Sequence, residues 1–196
     1  MLLALLATLL LSAGSAQAHP PRAKACAARG STTVARSVQA RVYVRDASES
    51  DDHVLVGCLF GSGRRITLET WFSCDCSRGD ENDPQVWLRG AVVAVNRYGC
   101  SPAPEPDPCY GRAHTVGLRS GRTLRELQTG GRVTELVIGG RGSFAVLIGS
   151  AVVKADADGE AVLDPGPGVE AGSLALAGAR LYWTRDDAPR SARLRF

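Results

Sequence analysis

The sequence predicts an all-β protein made of one small sheet unit used four times. Three observations lead there. No segment sustains a helical spacing of apolar residues. The 22 glycines and 10 prolines are spread along the chain. Between the turns they mark, short β-branched and aromatic runs recur in a fixed order. Each unit opens with a strand and a tight glycine turn and continues with a strongly apolar strand. A polar loop follows, then a hairpin that leads into a fourth strand.

Apolar second strands are predicted at residues 41–45, 91–95, 144–148 and 180–184. Gly90, Gly142 and Gly178 stand in the turns before three of them, where freedom to take positive φ is useful. Third strands follow at 54–60, 114–119, 151–155 and 191–195. Hairpins close at Gly61-Ser62-Gly63, at Ser120-Gly121 and at Asp158-Gly159, the last with the sequence of a type I′ turn. Fourth strands are predicted at 66–70, 123–128 and 160–163. The last unit has none, and residues 31–36 are expected to supply it, closing a circle and removing two open edges.

Gly142 and Gly178 are 36 residues apart, and Gly121 and Gly159 are 38 apart. The 52 residues from Gly90 to Gly142 include the additional loop between Cys100 and Cys109. A period near 36–40 with four strands per unit is that of a β-propeller. The expected fold is therefore an all-β propeller of four small blades, each of up to four antiparallel strands. A β-sandwich and an open propeller-like crescent are the alternatives. The phrase L-x-G-x-x-V/L-Y/A-W/V, as in Leu88 to Val95 and Leu176 to Trp183, is followed by x-G-x hairpins. On these grounds residues 33–196 resemble secreted bacterial β-propeller repeats, loosely the TolB-like group.

Residues 1–11 are apolar and uncharged, and small residues ending in Ala16-Gln17-Ala18 follow them. This is the pattern of a secretory signal cleaved after Ala18, although no positive charge other than the amino terminus precedes it. The run is shorter than the roughly 20 apolar residues that span a bilayer, and no second stretch is long enough. The expected organisation is a signal peptide at 1–18, an N-terminal arm at 19–32 and one domain at 33–196, secreted or periplasmic. Net charge is +3 and spread over the chain, which argues against a nucleic-acid partner. Two lysines stand against 21 arginines, a bias typical of high-GC bacterial genomes.

An even count of six cysteines behind a signal peptide reads as a disulfide framework. Cys100 and Cys109 bracket a proline-rich loop and are expected to pair. Cys74 and Cys76 are too close to bond each other without strain, so they are expected to be shared between Cys26 and Cys58.

In such a meander the loops between second and third strands, and between units, emerge on one face. The long loops, at 46–52, 73–85, 96–112, 164–172 and 185–190, are all of this kind. Without 164–172 they hold 12 of the 20 acidic residues, while Arg64, Arg65, Arg122 and Arg141 lie at the opposite turns. Candidate binding residues are Asp51, Asp52, Asp75, Asp80, Glu81, Asp83, Asp186 and Asp187, with Trp71 beside them. Asp75, Asp80 and Asp83 offer hard oxygen ligands for calcium; no other cofactor is indicated. There is no G-x-S-x-G elbow, His53 and His114 are the only histidines inside the domain, and no catalytic residue is assigned. The expected function is a secreted, non-enzymatic binding module whose acidic, disulfide-braced loop face meets an extracellular protein or cell-envelope component. The alternative is a hydrolase using paired carboxylates, with Trp71 and Trp87 as a sugar platform.

Overall fold

The computed structural model describes residues 26–46, 52–72, 83–100 and 109–196. β1 (Ser31–Arg36), β2 (Ala40–Asp46), β3 (Asp52–Leu59) and β4 (Arg65–Phe72) form the first sheet in chain order. β5 (Gln85–Arg89), β6 (Val92–Cys100), β7 (Cys109–Gly117) and β8 (Arg122–Thr129) form the second. β9 (Val133–Ile138), β10 (Phe144–Ile148), β11 (Ala151–Asp156) and β12 (Gly159–Asp164) form the third. β13 (Ala175–Ala177), β14 (Arg180–Arg185) and β15 (Ala188–Arg193) form a three-stranded fourth. Every pairing is antiparallel between chain neighbours, so each sheet is a simple meander and the fold is all-β and propeller-like.

The apolar second strands of the two middle sheets, β6 and β10, stand where the sequence places them because both of their faces meet neighbouring sheets. β10, Phe-Ala-Val-Leu-Ile, is buried at four of its five positions. Phe144 and Val146 point into the core shared with the second sheet, and Ala145 and Leu147 into the core shared with the fourth. A strand buried on both faces loses hydrophobic alternation, which is why this one reads as a continuous apolar run. Leu55, Trp71, Val93, Val95 and Leu118 form the corresponding core between the first two sheets.

One register feature recurs in all three four-stranded sheets. The pairing slips between Leu55 and Val56, between Thr115 and Val116, and between Val152 and Val153. The residue left unpaired on the fourth strand is Leu68, Leu124 and Leu163 in turn. A bulge at this place sharpens the twist of the outer strands. It also turns the bulged leucines onto glycines: a Cβ added to Gly57 would lie 3.4 Å from Leu68, and one added to Gly117 equally close to Leu124.

Neighbouring sheets are also tied at their tight-turn ends. Ser37 Oγ donates to Gly90 O at 2.7 Å between the first and second, and Thr115 Oγ1 to Gly142 O at 2.7 Å between the second and third. Ser143 Oγ donates to Arg195 O at 2.6 Å, holding the C-terminal residues against the third sheet. Gly142 has a φ of +81°, and a Cβ there would lie 2.5 Å from Leu124 Cβ. Gly142→Ala is therefore expected to cost about 2–4 kcal/mol from backbone strain and overpacking together, read as a lower urea midpoint.

Four expectations are corrected. Residues 31–36 do not complete the last blade; they pair with β2 and open the first sheet, and the sheets do not close into a ring. The outer face of the first sheet is covered instead by the arm. Cys26 is bonded to Cys58, with Cα atoms 5.7 Å apart, and so is not shared with Cys74 or Cys76. The physical reason is burial: both sulfurs lie in an apolar cluster with Tyr43, Val56 and Phe60. Cys74 and Cys76 lie outside the described residues. Residues 100 and 109 are register partners at the ends of β6 and β7, which is the backbone arrangement their expected pairing requires.

The last two corrections concern turns. Residues 185–190 are not a long loop but a two-residue hairpin, with Asp186 and Asp187 at φ +50° and +59°, the signs a type I′ turn requires. At Asp158-Gly159 only the glycine has positive φ, +103°, so that hairpin is not type I′. There Asp156 Oδ1 accepts from the Asp158 N–H at 2.9 Å and holds the turn by a side chain instead.

Candidate functional site: a cleft at the first seam

The long-loop end of the first sheet carries a cleft of about 400 Å³. Thr32 and Val34 of β1, Val44 of β2, His53 of β3, Trp71 of β4, and Asp83 and Pro84 ahead of β5 line it. Strand register builds this set. Thr32 lies opposite Val44, Asp46 opposite His53, and His53 opposite Trp71, so two cross-strand rows meet at the cleft.

Trp71 is only 4% exposed, and its Nε1 donates to Asp83 Oδ1 at 3.1 Å. The indole therefore fixes the carboxylate that begins the approach to the second sheet. His53 leans on Trp71, with ring centroids 5.5 Å apart and planes tilted by 39°. Its Nδ1 is 2.9 Å from Asp46 Oδ1. A carboxylate oxygen accepts, so His53 donates from Nδ1. The Asp46 side chain is 79% exposed, and Asp83 is also exposed. The cleft thus has aliphatic walls, an aromatic pair and one solvent-facing carboxylate, Asp83, with a second, Asp46, bonded to its His53.

Two residues from Trp71, on the same side of β4, Glu69 faces the second sheet. Its Oε1 is 3.6 Å from Nε2 of His114 on β7, too long for a hydrogen bond, and His114 Nδ1 has no partner among the described residues. Burial pushes the Glu69 carboxyl above its ordinary value, against the pull of Arg97 and Arg112. Burial holds the His114 imidazole below its ordinary value, helped by Arg112 and opposed by Glu126. Desolvation thus outweighs the attraction between the two, and both tend toward their neutral forms.

The sign of the pH response follows. Unfolded His114 takes up a proton near its model value of 6.5 that the folded protein resists, so this group removes stability as pH falls below that value. Glu69 acts the other way: its contribution is full below 4.5 and is lost as pH rises through its raised folded value. Between pH 7.5 and 5.5, His114→Gln is expected to lose less stability than the parent and Glu69→Gln more, as measured by urea unfolding at both pH values.

Of the candidate residues, the structure brings Trp71 and Asp83 together in the cleft. Asp186 and Asp187 belong to the fourth sheet, at the other end of the series. The Asp186 N–H donates to Gly168 O at 3.0 Å and the Asp187 N–H to Glu170 Oε1 at 3.2 Å, so their turn serves the neighbouring loop. Asp51, Asp75, Asp80 and Glu81 lie outside the described residues, as does the side chain of Asp52. Of the three expected calcium ligands only Asp83 is described, and no group of three or more His, Cys, Asp or Glu side chains among the described residues is placed to hold a metal. Trp87 is no platform beside Trp71: it packs against the core between the second and third sheets.

Sequence reasoning did not single out Asp46, His53 or the walls Thr32, Val34, Val44 and Pro84. Extending the β2–β3 hairpin by one residue pair would have placed Asp46 against His53. Thr32 and Val34 come from β1, whose placement in the first sheet the sequence pattern missed.

No protein-family model matches the chain, and no curated protein does. Among solved structures it is similar to hydrazine synthase of Kuenenia stuttgartiensis, with a TM-score of 0.48 and 13% identity. The match covers 79% of this chain and 55% of that one, so the chain spans about half of that protein's length.

Proposed function

We propose that this chain is a secreted, non-enzymatic binding module whose contact surface is the long-loop face at the seam of its first two sheets. The observation that carries the reading is the cleft itself, an aliphatic and aromatic recess with the carboxylate of Asp83 in its lining and Asp46 bonded to the lining His53. Recognition residues on loops held by a rigid scaffold are the usual arrangement for binding. Secretion rests on the apolar N-terminal run ending in Ala16-Gln17-Ala18 and on the buried Cys26–Cys58 bond. Among the described residues no helix is long and apolar enough to cross a membrane. The resemblance to TolB-like propeller repeats belongs to the same reading and supports an extracytoplasmic partner.

A thermal-shift panel on the oxidised mature protein tests this, using calcium, sugars, and small organic cations and anions, alongside chromogenic ester and glycoside substrates. The expected result is stabilisation by a compound that Trp71→Phe no longer senses, with no substrate turned over. Turnover abolished by Asp83→Asn would instead make the protein a carboxylate-dependent hydrolase.

A further inference from the structure

Resting on that reading, we infer that the cleft receives a long cationic side chain, an arginine presented by a partner protein. Four features of the cleft converge on that chemistry. Its walls, Val34, Val44 and Pro84, are aliphatic and suit a run of methylenes. The part-exposed His53 ring, backed by the buried Trp71, offers surface on which a guanidinium stacks. Asp83 in the lining supplies acceptors for a planar fork of donors, and Asp46, bonded to the lining His53, adds a second negative charge beside it. About 400 Å³ is near the small end of ligand pockets, which run from about 300 to 1,000 Å³, and fits one or two side chains better than a large ligand.

The same features weigh against other occupants. An anion would meet the Asp83 carboxylate with no lysine or arginine among the residues that line the cleft. A flat sugar needs an open indole face, and Trp71 is only 4% exposed, reachable only by a slim group entering the recess. Arginine is preferred to lysine because Asp83 Oδ1 is held by the Trp71 N–H, which fixes the carboxylate plane and rewards bidentate geometry.

The test titrates the mature oxidised protein with four capped pentapeptides that differ at the central residue: arginine, lysine, norleucine or glutamate. The Trp71 indole N–H resonance, assigned with Trp71→Phe, and the Val34 and Val44 methyls are followed by NMR. The arginine peptide is expected to shift them saturably, lysine more weakly, and norleucine and glutamate little. Asp83→Asn retains an acceptor for Trp71 and is expected to weaken the arginine peptide roughly tenfold. Equal shifts from norleucine, or stronger ones from glutamate, would overturn the cationic assignment while leaving the cleft as a binding site. Shifts of the same resonances on concentrating the protein alone would assign the cleft to a second copy and also overturn it. No response to any peptide would overturn the inference and the proposed site together.

Discussion

Asp164→Ala is expected to lower the unfolding free energy by about 3 kcal/mol, the largest loss for any single carboxylate outside the cleft. Asp164 ends β12 and is 4% exposed. Its Oδ2 accepts from Trp183 Nε1 at 2.9 Å, and its Oδ1 accepts from Arg185 Nη1 at 2.8 Å and from the Gly166 N–H at 3.1 Å. One carboxylate therefore ties the third sheet to the buried tryptophan of the fourth and to the loop between them. Alanine would leave a buried indole N–H and a guanidinium without their acceptor, which costs more than a lost contact. Asp164→Asn keeps an acceptor and is expected to lose roughly half as much. Urea unfolding followed by tryptophan fluorescence measures both, and an alanine variant within 1 kcal/mol of the parent would contradict the assignment.

The same carboxylate sets the acid limit of the fold. The Trp183 bond holds its carboxyl below the ordinary range, overcoming burial, with further help from Gly166 and Arg185. Burial would raise Asp156, but the Arg195 N–H, Lys154 and the Asp158 N–H bring it down. A depressed folded value means stability that is present above the unfolded value of 3.8 and is lost as pH falls through the folded one. Acid unfolding is thus expected to begin at the third and fourth sheets, where these two groups sit.

Breaking the Cys26–Cys58 bond has the second large expected effect. It closes a sequence separation of 32 residues, for which the chain-entropy model gives about 3–4 kcal/mol. For a domain whose total is of order 5–15 kcal/mol this is a large share. The bond also pins the arm over Tyr43, Val56 and Phe60, the face that an open series of sheets leaves without a neighbour. Cys26→Ala with Cys58→Ala is therefore expected to lower the urea midpoint and to expose that apolar patch to a hydrophobic dye. Arg41 resists release of the arm, since its Nη1 donates to Cys26 O at 3.1 Å and its guanidinium covers the Tyr43 ring at 4.7 Å. A double variant as stable as the parent would show that the arm is held by these contacts alone.

Much of this architecture was legible because turn chemistry and apolar runs are local. The strands of residues 144–148, 151–155 and 180–184 fall within one residue of β10, β11 and β14. What stayed hidden depends on distant partners. Whether residues 31–36 complete the last sheet or open the first is decided by packing across the whole chain, and either choice suits an alternating strand. The Cys26–Cys58 pair was missed because spacing rules see loop lengths and not the apolar cluster in which both sulfurs sit. Leu68, Leu124 and Leu163 occupy equivalent bulges, yet one extra residue per strand reads in sequence as ordinary strand. The candidate site was half visible: Trp71 and Asp83 stood out by chemistry, whereas Asp46 and His53 needed the hairpin register that brings them together. Asp186 and Asp187 were grouped with them by charge alone, but they lie at the other end of the sheet order.

The central claim is that the first seam's long-loop end, and not the arginine-bearing turn face, carries the binding function. It is tested most directly by assigned backbone and side-chain NMR of the oxidised mature protein with and without the strongest compound from the thermal-shift panel. The predicted result is a set of shifts confined to Thr32, Val34, Val44, His53, Trp71 and Asp83. Shifts centred on Val38, Ser62 and Arg119 at the opposite turns, with the cleft unmoved, would contradict it.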